Sequence, residues 1–196
     1  FRRLDIPGEE QYLNRGVTFC PHCDGPLFAD RKVAVMGGGN SALEAAIDLA
    51  ALAREVTVID LADQLKADKV LVDRLQALPN TKVVNSAKAT KVMGDGHRVT
   101  GLEYRDAAGQ THELQMDGIF VQIGSIPNTD WLQETVQLED GYIKIDNRGA
   151  TSVPGIFAAG DCTNTPHKQI VIALGAGANA ALGAFDYLIR SPEQTD

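Results

Sequence analysis

Cysteine is scarce in this sequence. There are three among 196 residues, an odd count that argues against the fully paired framework of a small secreted domain. Positive charge is also in short supply: 18 lysines and arginines against 26 aspartates and glutamates leave a net charge of −8. That balance predicts a soluble chain and disfavours nonspecific binding to nucleic acid. No apolar run stands out as long enough to span a bilayer, and no secretory signal is visible, so no membrane partner is expected. Internal repeats and low-complexity segments are lacking. The sequence opens on Phe1 rather than Met, which predicts a piece of a longer protein. What remains, with 44% hydrophobic residues, is an ordinary composition for one or two small globular domains.

Two of the cysteines stand in Cys20-Pro21-His22-Cys23-Asp24. Thiols at this spacing close a disulfide within one turn and carry two electrons between them. Alone, the motif leaves three readings open: a redox pair, half a metal site, or accident. A structural metal site takes about four ligands. The remaining thiol is Cys162, and His97, His112 and His167 show no paired spacing, so no metal is expected. A Cys-x-x-Cys beside a βαβ pattern, in a reducing compartment such as the cytoplasm, reads as redox chemistry. Asp24 strengthens that reading, because an acid next to a thiolate can supply or collect the proton each exchange step requires. Asp24 is equally a turn residue ahead of Gly25. His22 either favours a thiolate electrostatically or is a plain exposed loop histidine.

Residues 1–30 are polar and turn-rich and read as a connector that carries the dithiol. A short β-rich run at 32–36, a helical period at 40–53, a second strand at 55–60 and an amphipathic helix at 68–78 make a βαβα unit, which implies a parallel sheet. Residues 82–84, 87–92, 99–104 and 111–116 read as strands of an antiparallel meander, with another buried strand at 118–123. Gly124 and Pro127 interrupt the pattern. Strands near 142–145 and 156–159 follow, then a small-residue helix at 170–189. The expected fold class is therefore α/β, with a Rossmann-like domain over residues 4–121 and a second segment over 122–196.

Gly37-Gly38-Gly39-Asn40-Ser41-Ala42 follows a strand and opens a helix. In that context Gly37-x-Gly39-x-x-Ala42 is a dinucleotide fingerprint. The first glycine makes the tight turn, the second lets backbone approach the pyrophosphate, and Ala42 keeps helix and strand close. Phosphate would sit at the helix N-terminus. The alternative is a tight turn with no ligand. Asp60 ends the second strand, about 20 residues past the glycines, where a carboxylate accepts bonds from ribose hydroxyls. It would repel a 2′-phosphate, and no arginine follows in Leu61-Ala62-Asp63-Gln64-Leu65, so NADH is favoured over NADPH. Otherwise Asp60 is a solvated strand-end carboxylate.

Handing a hydride to a disulfide is chemically awkward, and a flavin solves it. Thr151-Ser152-Val153-Pro154-Gly155-Ile156-Phe157-Ala158-Ala159-Gly160-Asp161 matches an FAD signature of disulfide reductases. With Val17–Phe28, the glycine fingerprint, Gly118–Gly124, Pro127-Asn128-Thr129 and Ala158–Thr163, the chain resembles the thioredoxin-reductase-like pyridine nucleotide–disulfide oxidoreductases nearly end to end. Cys-Pro-His-Cys, rather than Cys-Ala-Thr-Cys, resembles their peroxide-linked branch. The resemblance implies FAD and NAD as cofactors and a segment of a discontinuous FAD-binding domain at 122–196. It implies Cys23 as the thiol facing the flavin, Cys20 as the interchange thiol and Asp24 as the acid/base. Glu44 would approach the nicotinamide, unless it is a solvated helix carboxylate. Gly124, Gly160 and Asp161 would line the flavin chain. Lys168, Gln169 and Ile170 would open the last helix toward the flavin, where Gln169 and the helix dipole stabilise negative charge. Gly124 and Pro127 are candidate hinge positions for the domain rotation of this family. Cys162 reads as a small buried residue. The family's first FAD segment and the N-terminal thioredoxin-like domains of the peroxide-linked branch are missing. The implied partners are those domains and, through them, a peroxiredoxin, with a homodimer in the full-length protein. The rival readings are a thioredoxin reductase proper and a nucleotide-binding fragment inactive by itself.

Overall fold

The computed structural model describes residues 1–191 and divides into two compact units, Phe1–Ser125 and Ile126–Asp196. The last five residues of the 122–196 segment lie outside the described residues.

In the first unit, β1 is Val17–Thr18, α1 is Pro21–Asp24 and a 3-10 turn covers Gly25–Phe28. Then come β2 (Lys32–Met36), α2 (Asn40–Ala50), β3 (Glu55–Ile59), α3 (Lys69–Gln76) and β4 (Thr81–Val84). β5 (Lys88–Gly94), β6 (Val99–Arg105) and β7 (Thr111–Gln115) precede β8 (Gly118–Val121). The large sheet is five-stranded, in the order β1-β8-β2-β3-β4. Its pairings are all parallel, with Val35 opposite Val58 on one side and Phe120 on the other. β5, β6 and β7 form a separate three-stranded antiparallel sheet. The α/β class and both sheet types agree with the sequence.

Strand alternation sorts the core onto two faces. Val33, Val35, Val56, Val58 and Phe120 join Leu43 and Leu49 of α2 and Leu75 of α3 on one face. Ala34, Met36, Ile59, Ile119 and Val121 join Val92, Val99 and Leu102 of the meander on the other. A strand buried on both sides favours apolar residues at nearly every position, so β2, β3 and β8 lack polar alternation, with Thr57 of β3 the one buried hydroxyl among them. Phe120 is fully buried, with Phe28 edge-on at 5.2 Å.

Several sequence expectations need correction. Residues 1–30 are more than a connector. β1 is an edge strand of the parallel sheet, and Tyr12 and Val17 are buried core residues. Buried Glu9 accepts the backbone N–H groups of Leu4 (2.9 Å) and Asp5 (2.8 Å), tying down the N-terminal turn. A two-residue strand carries too little periodicity to be read. β4 belongs to the parallel sheet, paired with β3, and not to the meander; alternation in a four-residue strand does not reveal its partner. The helix expected to 53 ends at Ala50, and the strand expected to 123 ends at Val121.

In the second unit, β9 (Leu138–Glu139) and β10 (Tyr142–Ile143) form a hairpin turned by Asp140 and Gly141, both at positive φ. No strand forms at 156–159. Of those four residues Phe157 alone makes an isolated bridge, to Ala150, and Thr151 draws the chain into a turn by accepting the Val153 N–H at 3.2 Å. α4 (Ile170–Arg190) is 21 residues long. Only Ala180 and Gly183 are buried in it, and its backbone comes so close that a Cβ on Gly183 would lie 2.6 Å from the Arg148 carbonyl oxygen. By length and composition α4 is apolar enough to cross a membrane, against the expectation of no such run. Its glycines and alanines disguise the stretch, because each is only weakly apolar.

Candidate functional site

The dithiol sits where β1 hands over to α1. Cys20 is the N-cap of α1, and Pro21 follows at a position where a missing N–H costs nothing. Cys20 and Cys23 are joined in a disulfide. The Cys23 N–H points at Cys20 Sγ (3.2 Å), and the Asp24 N–H donates to the Cys20 carbonyl (3.0 Å). Cys20 is half-buried and Cys23 is exposed. The Asp24 carboxylate accepts a hydrogen bond from the Thr18 hydroxyl, and Thr18 Oγ1 accepts the Cys20 N–H at 3.3 Å. His22 Nδ1 lies 3.4 Å from the Asp48 carboxylate of α2, and both side chains are exposed. A pair so open to water adds little stability.

The glycine turn joins β2 to α2. Gly37 has φ +120°, and a Cβ there would lie 2.5 Å from the Gln122 carbonyl oxygen, so no other residue fits the turn. A Cβ on Gly38 would meet the Asp60 carboxylate at 2.2 Å. The absent side chain thus leaves room for Asp60, which is further held by the Leu61 N–H at 2.9 Å. At Gly39 a Cβ would meet nothing within 4 Å. Ala42 and Leu43 donate to the Gly39 carbonyl, while among the described residues no hydrogen bond is formed by the N–H groups of Gly39, Asn40 and Ser41. Open space, free N–H groups and a strand-end carboxylate on one side fit the pyrophosphate and ribose of a dinucleotide. Asn40 and Asp68 brace the turn from the following loop: Asn40 Nδ2 donates to Asp68 (3.0 Å) and the Asp68 N–H returns a bond at 2.8 Å. Glu44 is exposed on the second turn of α2, and Ser41 is exposed on the first. Gly124 stands at φ +94° and accepts the Arg2 N–H at 2.9 Å.

The remaining candidates are in the second unit. Gly160 has φ +83°, and its carbonyl accepts both the N–H (3.0 Å) and the hydroxyl (2.7 Å) of buried Thr163. Asp161 is exposed. Lys168 is committed within its own unit: Nζ donates to the Thr163 carbonyl at 2.6 Å and sits 4.2 Å from the centre of the Tyr142 ring. Gln169 is the N-cap of α4, and Ile170 begins the helix 81% exposed. Gly175 and Gly177 have nothing within 4 Å of a Cβ position. A helix N-terminus with bare backbone beside it suits an extended anionic cofactor such as FAD.

Sequence reasoning missed Thr18, Asn40 as a brace, and Asp68. A hydroxyl six residues ahead of Asp24 leaves a faint local signal. The Asn40–Asp68 pair spans 28 positions and leaves none.

A parallel α/β sheet with a glycine turn, an open helix N-terminus and a Cys-x-x-Cys disulfide defines a nucleotide-linked dithiol oxidoreductase. The Pyridine nucleotide-disulphide oxidoreductase family matches residues 1–181, and this chain belongs to it. Members of the family bind FAD and NAD(P). The chain is 58% identical, over 97% of its length, to the F subunit of alkyl hydroperoxide reductase from Staphylococcus aureus (strain MRSA252), and 56% identical to the protein of that name from Pseudomonas putida. It spans 38% and 37% of those two proteins. Thioredoxin reductase from Streptococcus pyogenes MGAS5005 superposes with a TM-score of 0.92 at 36% identity, over 97% of this chain and 63% of that one. The resemblance read from the motifs holds.

Proposed function

We propose that this chain supplies the dithiol, the nicotinamide site and part of the flavin site of an NADH-dependent disulfide reductase. The enzyme acts in the bacterial cytoplasm and passes electrons to thioredoxin-like domains and on to a peroxiredoxin that destroys hydroperoxides. The observation that supports this reading best is one unit combining a closed Cys20–Cys23 disulfide, a hydrogen-bonded Asp24 beside it, and an open dinucleotide turn. Asp60, with no arginine after it, favours NADH by accepting the ribose hydroxyls and repelling a 2′-phosphate. When bound, FAD takes up the two electrons of a hydride and delivers them to a disulfide. Gly160, Asp161, Lys168, Gln169 and Ile170 would hold it, and Gly124 is a further cofactor-binding candidate. Glu44 would approach the nicotinamide. Reduction of the Cys20–Cys23 bond adds two electrons and two protons, and Asp24 manages one of those protons. The higher identity to the alkyl hydroperoxide reductase proteins favours the peroxide-linked reading over thioredoxin reductase. In that reading the full-length enzyme is a homodimer.

Cys23 is assigned toward the flavin and Cys20 toward the partner by the family pattern; exposure alone would make Cys23 the outer sulfur. Turnover of the intact enzyme with NADH and with NADPH tests the proposal. A clear NADPH preference overturns it. An absorption spectrum of the purified chain tests the division of the flavin site: flavin bands would show that these residues suffice to hold FAD.

A further inference from the structure

We infer that Thr18 is the positioning residue for Asp24, a role that rests on the proposed acid/base function of Asp24. Thr18 is 5% exposed and sits in β1, opposite Phe120 of β8. Its single hydroxyl proton goes to Asp24 Oδ2, while the same oxygen accepts the Cys20 N–H at 3.3 Å. One oxygen, fixed to the sheet, therefore sets the carboxylate relative to the backbone of the first cysteine.

Nothing else in the neighbourhood does this. Asp24 closes a helix of four residues, too short to hold a side chain by itself. Among the described residues its other oxygen, Oδ1, has no hydrogen-bond partner and is free to take a proton. His22, on the same turn, faces Asp48 of α2. Glu44 and Asp48 are the charged residues of α2, and the 3-10 turn after Asp24 contributes none.

In the exchange step, a thiolate of the reduced Cys20/Cys23 pair attacks one sulfur of a disulfide substrate. That breaks the S–S bond and expels a thiolate, which takes up a proton. The second cysteine then attacks the mixed disulfide, re-forms the Cys20–Cys23 bond and expels the second thiolate, which also takes up a proton. Both protons originate on the two cysteines, and Asp24 carries one of them across. Thr18 makes that transfer repeatable by keeping the carboxylate at one place through both attacks.

The test uses the intact protein with its dithiol reduced and excess reductant removed. Single-turnover exchange with cystamine, an alkyl disulfide whose expelled thiolate takes up a proton near neutral pH, is quenched in acid and followed as closure of the Cys20–Cys23 bond by peptide mass mapping, which sets the free thiol Cys162 apart. Thr18→Val should slow exchange about tenfold, the loss of one hydrogen bond to a charged group. Thr18→Ser, which keeps the hydroxyl, should restore the rate. Asp24→Asn should slow exchange alone, and the Thr18→Val/Asp24→Asn double variant should be no slower than Asp24→Asn, since both changes remove one device. Multiplying losses, a serine variant as slow as the valine one, or an unchanged Thr18→Val rate would overturn the inference. An unaffected Asp24→Asn would instead overturn the role of Asp24, and that of Thr18 with it. If the valine variant does not fold, Thr18→Ala reads the same loss.

Discussion

Gly39→Ala separates ligand binding from folding with one methyl group. Gly39 caps α2 at φ −90° and ψ −179°, a conformation alanine adopts freely, and the new Cβ would touch nothing within 4 Å. Two small terms then act on stability. Alanine is a poorer N-cap than glycine by about 0.5 kcal/mol. Against that, removing glycine's freedom from the unfolded chain stabilises by about 0.4–1 kcal/mol. They offset, so the thermal midpoint should move by no more than about 2 °C. Binding should respond very differently. The methyl group stands where a pyrophosphate would approach the free N–H groups of Gly39, Asn40 and Ser41. Losing one hydrogen bond to a charged group costs about 1.5–3 kcal/mol, which is about ten- to a hundredfold in affinity. Calorimetric titration with NADH, paired with differential scanning calorimetry of the same sample, measures both. An unchanged dissociation constant would refute the placement of the dinucleotide over Gly39. A midpoint lowered by more than about 5 °C would refute the claim that the space is empty.

Phe120→Ala should cost about 3–5 kcal/mol, because the ring is fully buried against Phe28 between sheet and helices; a urea denaturation shift worth less than about 1 kcal/mol would count against this core. Cys23→Ser should leave Cys20 able to trap a thioredoxin-like partner as a mixed disulfide, seen on a non-reducing gel. Trapping by Cys20→Ser instead would exchange the two roles. The Asp106 carboxyl is held below its ordinary range by the hydrogen bond from His112, then by the Gln110 N–H. A carboxyl lowered on folding stabilises above its unfolded pKa and loses that contribution as pH falls through its folded one. His112→Ala should therefore raise the Asp106 midpoint in an NMR carboxyl titration, and no movement would exclude the pairing.

The elements legible in the sequence are those whose cause is local or uniform. Val33–Met36 and Val56–Ile59 are buried on both faces, so composition alone exposes them as inner strands. The glycine turn is legible because φ +120° at Gly37 admits one residue type. β1 is hidden because its warrant is a pairing with β8 from the far end of the unit. β4 reads as part of the wrong sheet for the same reason: its sequence fits either kind of neighbour, and α3 decides by carrying the chain back across the sheet. At the site, residue types are legible and their supports are not. Cys20, Cys23 and Asp24 stand in one motif, but the oxygen bonded to the Asp24 carboxylate and the Cys20 N–H belongs to the preceding strand. The apolar length of α4 is masked because its glycines and alanines carry little hydropathy individually.

The Arg2 N–H meets the Gly124 carbonyl at 2.9 Å, so the chain leaves the first unit beside the point where it came in. Such a body behaves as a cartridge. Cut at those two points, its ends could be joined by a bridge of roughly two residues, or spliced into a surface loop of an unrelated host, without opening either core face. Redox circuits assembled by gene fusion need a part of this shape: a dithiol head and a nucleotide socket that plug in through a single doorway.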